Sequence, residues 1–358
     1  MSSNTNFYSL KVSAVEKATP DCVVISFDVD EQLKGLFHFK PGQYITIRYN
    51  HNNEELRRSY SICSDPDAGK LSVAVKQVAD GRFSGYANKQ LCVGDVLDVM
   101  PPAGQFLLKP RQKPYIVFFA SGSGITPIIC QIRYLLKHDP LAKAVLFYGN
   151  KNFESVIFRE ELEGLKNKYI DRLAVHYIFS KEKLGSPAFF GRINSEKCLT
   201  FSKYFFQADQ TDQFLICGPS DMIFQVKDTL NNLDIPDTRI RFELFSSEGI
   251  PRKAEKESQV VEAGLSSSIT IKLDGDIFEF PLQYNGECIL DTALKNGADL
   301  PYACKGGVCS TCKAKILEGE VDMDINYALE PDELAAGYVL TCQAHPRTPK
   351  VVVDFDQK

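Results

Sequence analysis

Along residues 1–110, apolar and polar side chains alternate in short runs. After the turn at Pro41-Gly42, the stretch Gln43–Arg48 switches polarity almost residue by residue, as do Lys70–Lys76 and Asp95–Val99. A period of two marks strands with one face buried, and many short strands punctuated by Gly and Pro predict a small antiparallel β-barrel over 1–110. The pattern then changes. Tyr115–Ala120 is an unbroken apolar run, followed by a Gly-rich turn and a helical stretch to about Lys137, and Ala144–Gly149 and Gln213–Cys217 are similar runs. Strands that are apolar on both faces, interleaved with helices, predict an α/β domain with a parallel sheet over 111–246. Residues 247–265 are rich in Gly, Ser, Lys and Glu, the composition of a tether. Alternation returns at Ser268–Phe280 around an Asp274-Gly275 turn, which predicts a hairpin. A helix over Cys288–Asn296 stopped by Gly297 and a last strand from Val351 complete an α+β domain at 266–358. The expectation is a multidomain chain.

Composition narrows the field. Hydrophobic content of 44% and charged content of 24% are ordinary for a globular protein, and a net charge of −5 argues against a general nucleic-acid binder. No apolar run approaches the ~18–20 residues of a membrane span, and MSSNTNFYSL lacks a signal-peptide core, so the expected location is the cytoplasm. Charge is unevenly spread. Residues 266–358 hold 8 Lys and Arg against 15 Asp and Glu. This acidity fits either a docking face for a basic surface or a solvated face kept for solubility.

Of 11 cysteines, seven are scattered singly, as buried reduced thiols are: Cys22, Cys63, Cys92, Cys130, Cys198, Cys217 and Cys288. The other four form a pattern. Cys304, Cys309 and Cys312 are spaced C-x4-C-x2-C, and Cys342 follows after 29 residues. Such spacing suits a plant-type [2Fe–2S] cluster, with three thiolates on one loop and a fourth from a distant strand. Gly306 and Gly307 allow the loop to wrap closely. Zinc is the alternative, but it favours two paired knuckles, and Cys342 has no paired neighbour. Residues 284–343 as a whole resemble the β-grasp ferredoxins.

Other motifs resemble the ferredoxin–NADP reductase superfamily. Arg58-Ser59-Tyr60-Ser61 is similar to its flavin signature, which implies Arg58 at a flavin phosphate, Tyr60 on the isoalloxazine ring and Ser61 near flavin N5. Gly81-Arg82-Phe83-Ser84 resembles its pyrophosphate cradle, which implies FAD. The string Gly122-Ser123-Gly124-Ile125-Thr126-Pro127 resembles the NAD(P)H-binding turn, and Cys217-Gly218-Pro219 the nicotinamide site; Phe245 then falls near the flavin face. Taken without the resemblance, a lone G-x-G is a weak signal, because Pro127 stands where a third Gly is expected. Asn150, Lys151 and Arg159 offer cations and amides for a 2′-phosphate, so the expected nucleotide is NADPH, with NADH the alternative. Lys151 keeps the charge of the Arg common in related chains but lacks its bidentate fork.

The order flavin, nucleotide, ferredoxin resembles the reductase components of multicomponent oxygenases almost end to end. Glu55–Cys63, Asp299–Cys309 and Tyr327–Cys342 look, more narrowly, like reductases that feed a di-iron epoxidase of an aromatic CoA thioester. The resemblance implies an oxidoreductase carrying electrons from NAD(P)H through FAD to the cluster and on to that oxygenase. A tether would raise the effective concentration of the acceptor domain without fixing its docking.

Overall fold

The computed structural model describes residues 6–51, 54–109, 111–112, 114–183, 185–246 and 265–357. The expected tether at 247–265 therefore lies, except for Leu265, outside the described residues. By contacts the chain forms two compact units. One consists of Ser9–Leu56 and Tyr60–Leu244; the other carries the C-terminal sheet with short segments that include Arg57–Ser59.

The first sheet comprises β1 (Tyr8–Thr19), β2 (Cys22–Asp28), β3 (Tyr44–His51), β4 (Glu54–Ser61), β5 (Leu71–Lys76) and β6 (Val96–Val99). They lie in the order β4-β3-β6-β1-β2-β5. An antiparallel bridge from Ile62, just past β4, to Val73 on β5 closes the sheet into the expected barrel. On β2, Val23, Ile25 and Phe27 are buried on one face, and Cys22 and Ser26 are buried on the other. A short helix, α1 (Arg82–Lys89), follows β5 with Gly81 as its N-cap residue. The segment expected to cradle a pyrophosphate is thus the first turn of a helix.

Next come β7 (Tyr115–Ser121), α2 (Ile125–His138), β8 (Lys143–Asn150), α3 (Arg159–Lys168), β9 (Leu173–Phe179), α4 (Ser195–Tyr204), β10 (Gln213–Cys217), α5 (Ser220–Asn231) and β11 (Ile240–Glu243). The strands pair in parallel in the order β11-β10-β7-β8-β9. Chain order reverses between β7 and β10, which makes that crevice the topological switch point where open α/β sheets bind ligands. The α2 helix is buried nearly all round. Its Ile125, Ile128, Ile129 and Ile132 share one core with Cys22, Cys63, Ala74 and Phe106 from the barrel side. That shared core explains why barrel and parallel sheet form one unit.

The C-terminal sheet holds β12 (Ser266–Leu273), β13 (Asp276–Gln283), α6 (Ile289–Lys295), β14 (Lys313–Glu318), β15 (Val321–Met323), α7 (Pro331–Ala335), β16 (Tyr338–Leu340), β17 (Ala344–Pro346) and β18 (Lys350–Asp354). The five-stranded order is β13-β12-β18-β14-β16, with β15 and β17 paired separately. The β12–β13 hairpin turns at Asp274 and Gly275, both at positive φ (53° and 89°), the geometry that an Asp-Gly turn supplies. Ile289, Leu290 and Ala293 of α6 pack with Ile269, Ile271, Val351 and Val353 to make the core.

Candidate functional site

Parallel pairing puts the C-terminal ends of β7, β8, β10 and β11 on one edge, and with them Gly122, Lys151, Gly218 and Glu243. The turn after β7 packs hard against the end of β10. A Cβ on Gly124 would fall 2.1 Å from the Cys217 carbonyl oxygen, so only glycine allows this approach. Thr126 is buried, and its hydroxyl donates to the Ser123 carbonyl at 3.0 Å. It shapes the turn from within. Lys151 is exposed just past β8. Beside it Asn150 is buried, with an Oδ1 that has no hydrogen-bond partner among the described residues. An orphaned buried acceptor at the switch-point edge suits a bound nucleotide better than bulk water. Arg159 lies with its guanidinium 4.2 Å from the Phe153 ring centroid.

Cys217 is fully buried, and in register it lies opposite Glu243 on β11. From the barrel, Ser61 donates its hydroxyl to Glu243 Oε2 at 3.0 Å. Three strands distant in sequence therefore bring Ser61, Cys217 and Glu243 together. Burial pushes the Glu243 carboxyl from 4.5 up to about 8, against the opposing effect of the Ser61 hydrogen bond. Burial, then the Glu243 charge, holds the Cys217 thiol far above its usual range. Cys217 is thus a neutral thiol, and Glu243 can hold or lose a proton near neutral pH. Glu243 was missed in the sequence, where it is one acid at the end of a short strand. Phe245, two residues on, is exposed.

On the flavin side, the Tyr60 ring lies 5.6 Å from that of Phe83, and Tyr49 and Tyr86 stack at 4.5 Å beside them. Phe83 itself is buried at 3% exposure, so its backbone, not its ring, is what it offers a flavin. The Ser84 hydroxyl accepts from Val78 N–H at 3.2 Å and donates to the Gly81 carbonyl at 3.3 Å, and Arg82 forms a two-point ion pair with Glu54. What remains for a pyrophosphate is the set of first-turn N–H groups of α1, which have no acceptor within the helix. Arg58 is exposed on β4 and donates to the Arg57 carbonyl at 2.8 Å.

The four patterned cysteines lie together for a reason of register. Lys313 on β14 pairs with Leu340 on β16, so Cys312 lies beside the segment that carries Cys342. Thr341 clamps the junction, its N–H and its hydroxyl both donating to the Cys312 carbonyl at 3.2 and 3.0 Å. The thiols are neighbours two by two, Cys304 beside Cys309 and Cys312 beside Cys342. Two pairs match two irons with two thiolates each, whereas structural zinc takes its ligands around one tetrahedral centre. The Cys309 thiol, followed by N–H groups of Gly306, Val308 and Cys309, pulls Cys304 down to about 6 despite burial. The donor set fits a [2Fe–2S] cluster. Positive φ falls on Lys305 (51°) and Gly307 (71°), so of the two expected glycines only Gly307 uses a left-handed backbone. A Cβ there would lie 2.7 Å from the Ile325 carbonyl oxygen.

Comparison with known proteins agrees with this layout. Residues 9–107 match an oxidoreductase FAD-binding domain, 118–228 an oxidoreductase NAD-binding domain, and 271–347 a 2Fe-2S iron-sulfur cluster binding domain. The chain is 45% identical over 99% of its length, and 99% of the relative's, to a component of the 1,2-phenylacetyl-CoA epoxidase of Escherichia coli (strain K12). It is 34% identical to the ferredoxin reductase component of 3-ketosteroid-9-alpha-monooxygenase of Rhodococcus rhodochrous, over 97% of this chain and 96% of that one. Phthalate dioxygenase reductase shares the fold, with a TM-score of 0.60 at 24% identity over 97% of this chain and 98% of that one. A type IV self-sufficient cytochrome P450 monooxygenase does so at TM-score 0.73 and 23% identity, this chain covering 41% of that chain's length and 98% of its own. Among the described residues no helix is long and apolar enough to cross a membrane.

Proposed function

Since the chain belongs to the family of FAD- and [2Fe–2S]-containing reductase components of oxygenases, we propose that it draws hydride from NADPH and supplies single electrons to a di-iron epoxidase acting on phenylacetyl-CoA. The observation that supports the reading is the presence, in one chain, of a crevice joining Ser61, Cys217 and Glu243 and of four cysteines that the β14–β16 register brings together. The partner and its substrate rest on the 45% identity to the epoxidase component over 99% of both chains.

Bound FAD would supply the exchange between a two-electron hydride donor and a one-electron acceptor. The protein's part is placement. Arg58 and the first-turn amides of α1, from Arg82 through Ser84, would hold the flavin phosphates, with Gly81 as the N-cap that opens the turn, and Tyr60 would hold the ring. Ser61 would present its hydroxyl at the reacting face, with Glu243 fixing its orientation. Cys217, kept as a thiol, adds no charge where the nicotinamide packs. Gly122, Gly124, Thr126 and Gly218 would shape the nucleotide turn, Phe245 would cover the flavin face, and Lys151 would meet a 2′-phosphate. Cys304, Cys309, Cys312 and Cys342 would ligate the irons.

We assign 1–110 to the flavin domain, 111–246 to the nucleotide domain, 247–265 to a tether and 266–358 to the ferredoxin domain, all in the cytoplasm. The acidic C-terminal domain would be the electron exit, meeting a basic face on the oxygenase. The test is steady-state reduction of cytochrome c by the purified holoprotein. NADPH should be the better donor by kcat/KM, and the protein should oxygenate nothing alone. A tenfold preference for NADH would overturn the nucleotide assignment, and oxygenation without a partner would overturn the role.

A further inference from the structure

Gln343 follows the fourth cysteine, and nothing in the ligand pattern requires a glutamine there. Its Nε2 lies 2.8 Å from the Cys342 carbonyl oxygen, 3.1 Å from the Lys305 carbonyl oxygen and 3.7 Å from Cys342 Sγ. All three are acceptors. Turning the amide over would aim Oε1 at two oxygens and a sulfur, so the surroundings dictate which end faces the site. The residue is also held in place. Its carbonyl accepts Asp324 N–H at 3.0 Å, and its Cγ packs so closely on Gly307 that a Cβ there would come within 3.2 Å. Lys305, whose carbonyl it takes, has a positive φ of 51° and a side chain anchored by Asp291 at 2.7 Å. One side chain thus touches both the loop that carries three of the ligands and the strand end that carries the fourth.

We infer that Gln343 is a positioning residue for the iron–sulfur centre, tying Cys342 to the ligand loop and directing an N–H at its sulfur. This rests on the [2Fe–2S] reading of the four cysteines. The amide has two hydrogens for three acceptors, and the share that sulfur receives grows with its negative charge. Reducing a cluster adds an electron and raises that charge. A donor aimed at the sulfur therefore favours the reduced form and raises the potential.

The test is a spectroelectrochemical titration of the cluster in the full-length holoprotein, with electron paramagnetic resonance of the reduced state. Gln343→Met keeps the length of the stem and removes both N–H groups; Gln343→Glu keeps the shape and replaces the donor by a carboxylate. Gln343→Met should lower the equilibrium constant for cluster reduction by several-fold up to about tenfold, or ~59 mV toward negative at the upper end. Gln343→Glu should move it further the same way, and both should alter the resonance signal while flavin reduction by NADPH is unchanged. Wild-type potentials in cluster-loaded variants would overturn the inference. So would loss of the cluster from both variants, which would leave Gln343 a structural tie. Iron and acid-labile sulfide in the wild-type protein are measured first. Their absence would instead overturn the cluster reading itself.

Discussion

Cys217 is fully buried and Cys304 partly so, and the two thiols are driven in opposite directions. At the end of β10 the thiol is surrounded by apolar strand and faces the Glu243 carboxyl, so burial, and the Glu243 charge once that carboxyl ionises, hold its proton on. On the ferredoxin-like loop the Cys309 thiol and three backbone N–H groups point at the sulfur and draw it down to about 6. Desolvation alone raises a thiol; donors aimed at the anion reverse the sign. In the function proposed, one site would keep a small neutral group where hydride passes, and the other would prepare thiolates for metal.

The largest effect that would separate the two sites comes from Cys309→Ser. Ferredoxin-type absorption, acid-labile sulfide and cytochrome c reduction should fall to background, while stopped-flow reduction of FAD by NADPH stays near the wild-type rate. Loss of both would mean that the sites are not separable. Next is Gly124→Ala, which places a methyl 2.1 Å from the Cys217 carbonyl oxygen. It should destabilise its unit by about 1–3 kcal/mol in a denaturant titration and raise the KM for NADPH, with the cluster spectrum intact.

Glu243→Gln should act on pH dependence. Below about 8 the wild-type side chain is protonated and neutral; above it, a carboxylate stands beside the place where hydride delivers negative charge. The rate of flavin reduction should therefore fall as pH rises through about 8 in the wild type and stay level in the variant. Stability follows the same sign. Between pH 4.5 and about 8 the folded chain keeps a proton that the unfolded chain has released, so stability falls with rising pH across that window and the variant loses this slope. The smallest effect is that of Lys151→Ala. It should lower kcat/KM for NADPH by about tenfold and leave that for NADH unchanged, since on the proposed assignment the exposed ammonium would meet only the extra phosphate.

What could be read in the chain beforehand follows the same divide. The cluster loop packs its information into nine consecutive residues, Cys304–Cys312, because adjacent ligands must wrap one object. The barrel, the parallel sheet and the C-terminal hairpin were equally legible, since period two, apolar runs and Asp274-Gly275 are local signals. Glu243 was not. Its raised pKa comes from burial and its place in the site from a strand register and a Ser61 contact 182 residues away. The Gly81-Arg82-Phe83-Ser84 segment is legible as a backbone turn, whereas the fate of its side chains is not: tertiary packing sends Phe83 into the core and commits Arg82 to Glu54. Short motifs mark where a backbone goes. Which side chains remain available there is decided by neighbours far away in the chain.

The central claim is that hydride taken at the crevice of Ser61, Cys217 and Glu243 leaves as single electrons through the cysteine quartet. Anaerobic titration of the holoprotein with NADPH, followed by visible absorption and electron paramagnetic resonance, tests it most directly. The flavin bands should bleach, a reduced [2Fe–2S] resonance should grow in as they do, and chemical analysis should find about two irons and two labile sulfides per chain. Bleaching of flavin with no cluster signal, in a chain carrying one zinc and no labile sulfide, would contradict the account.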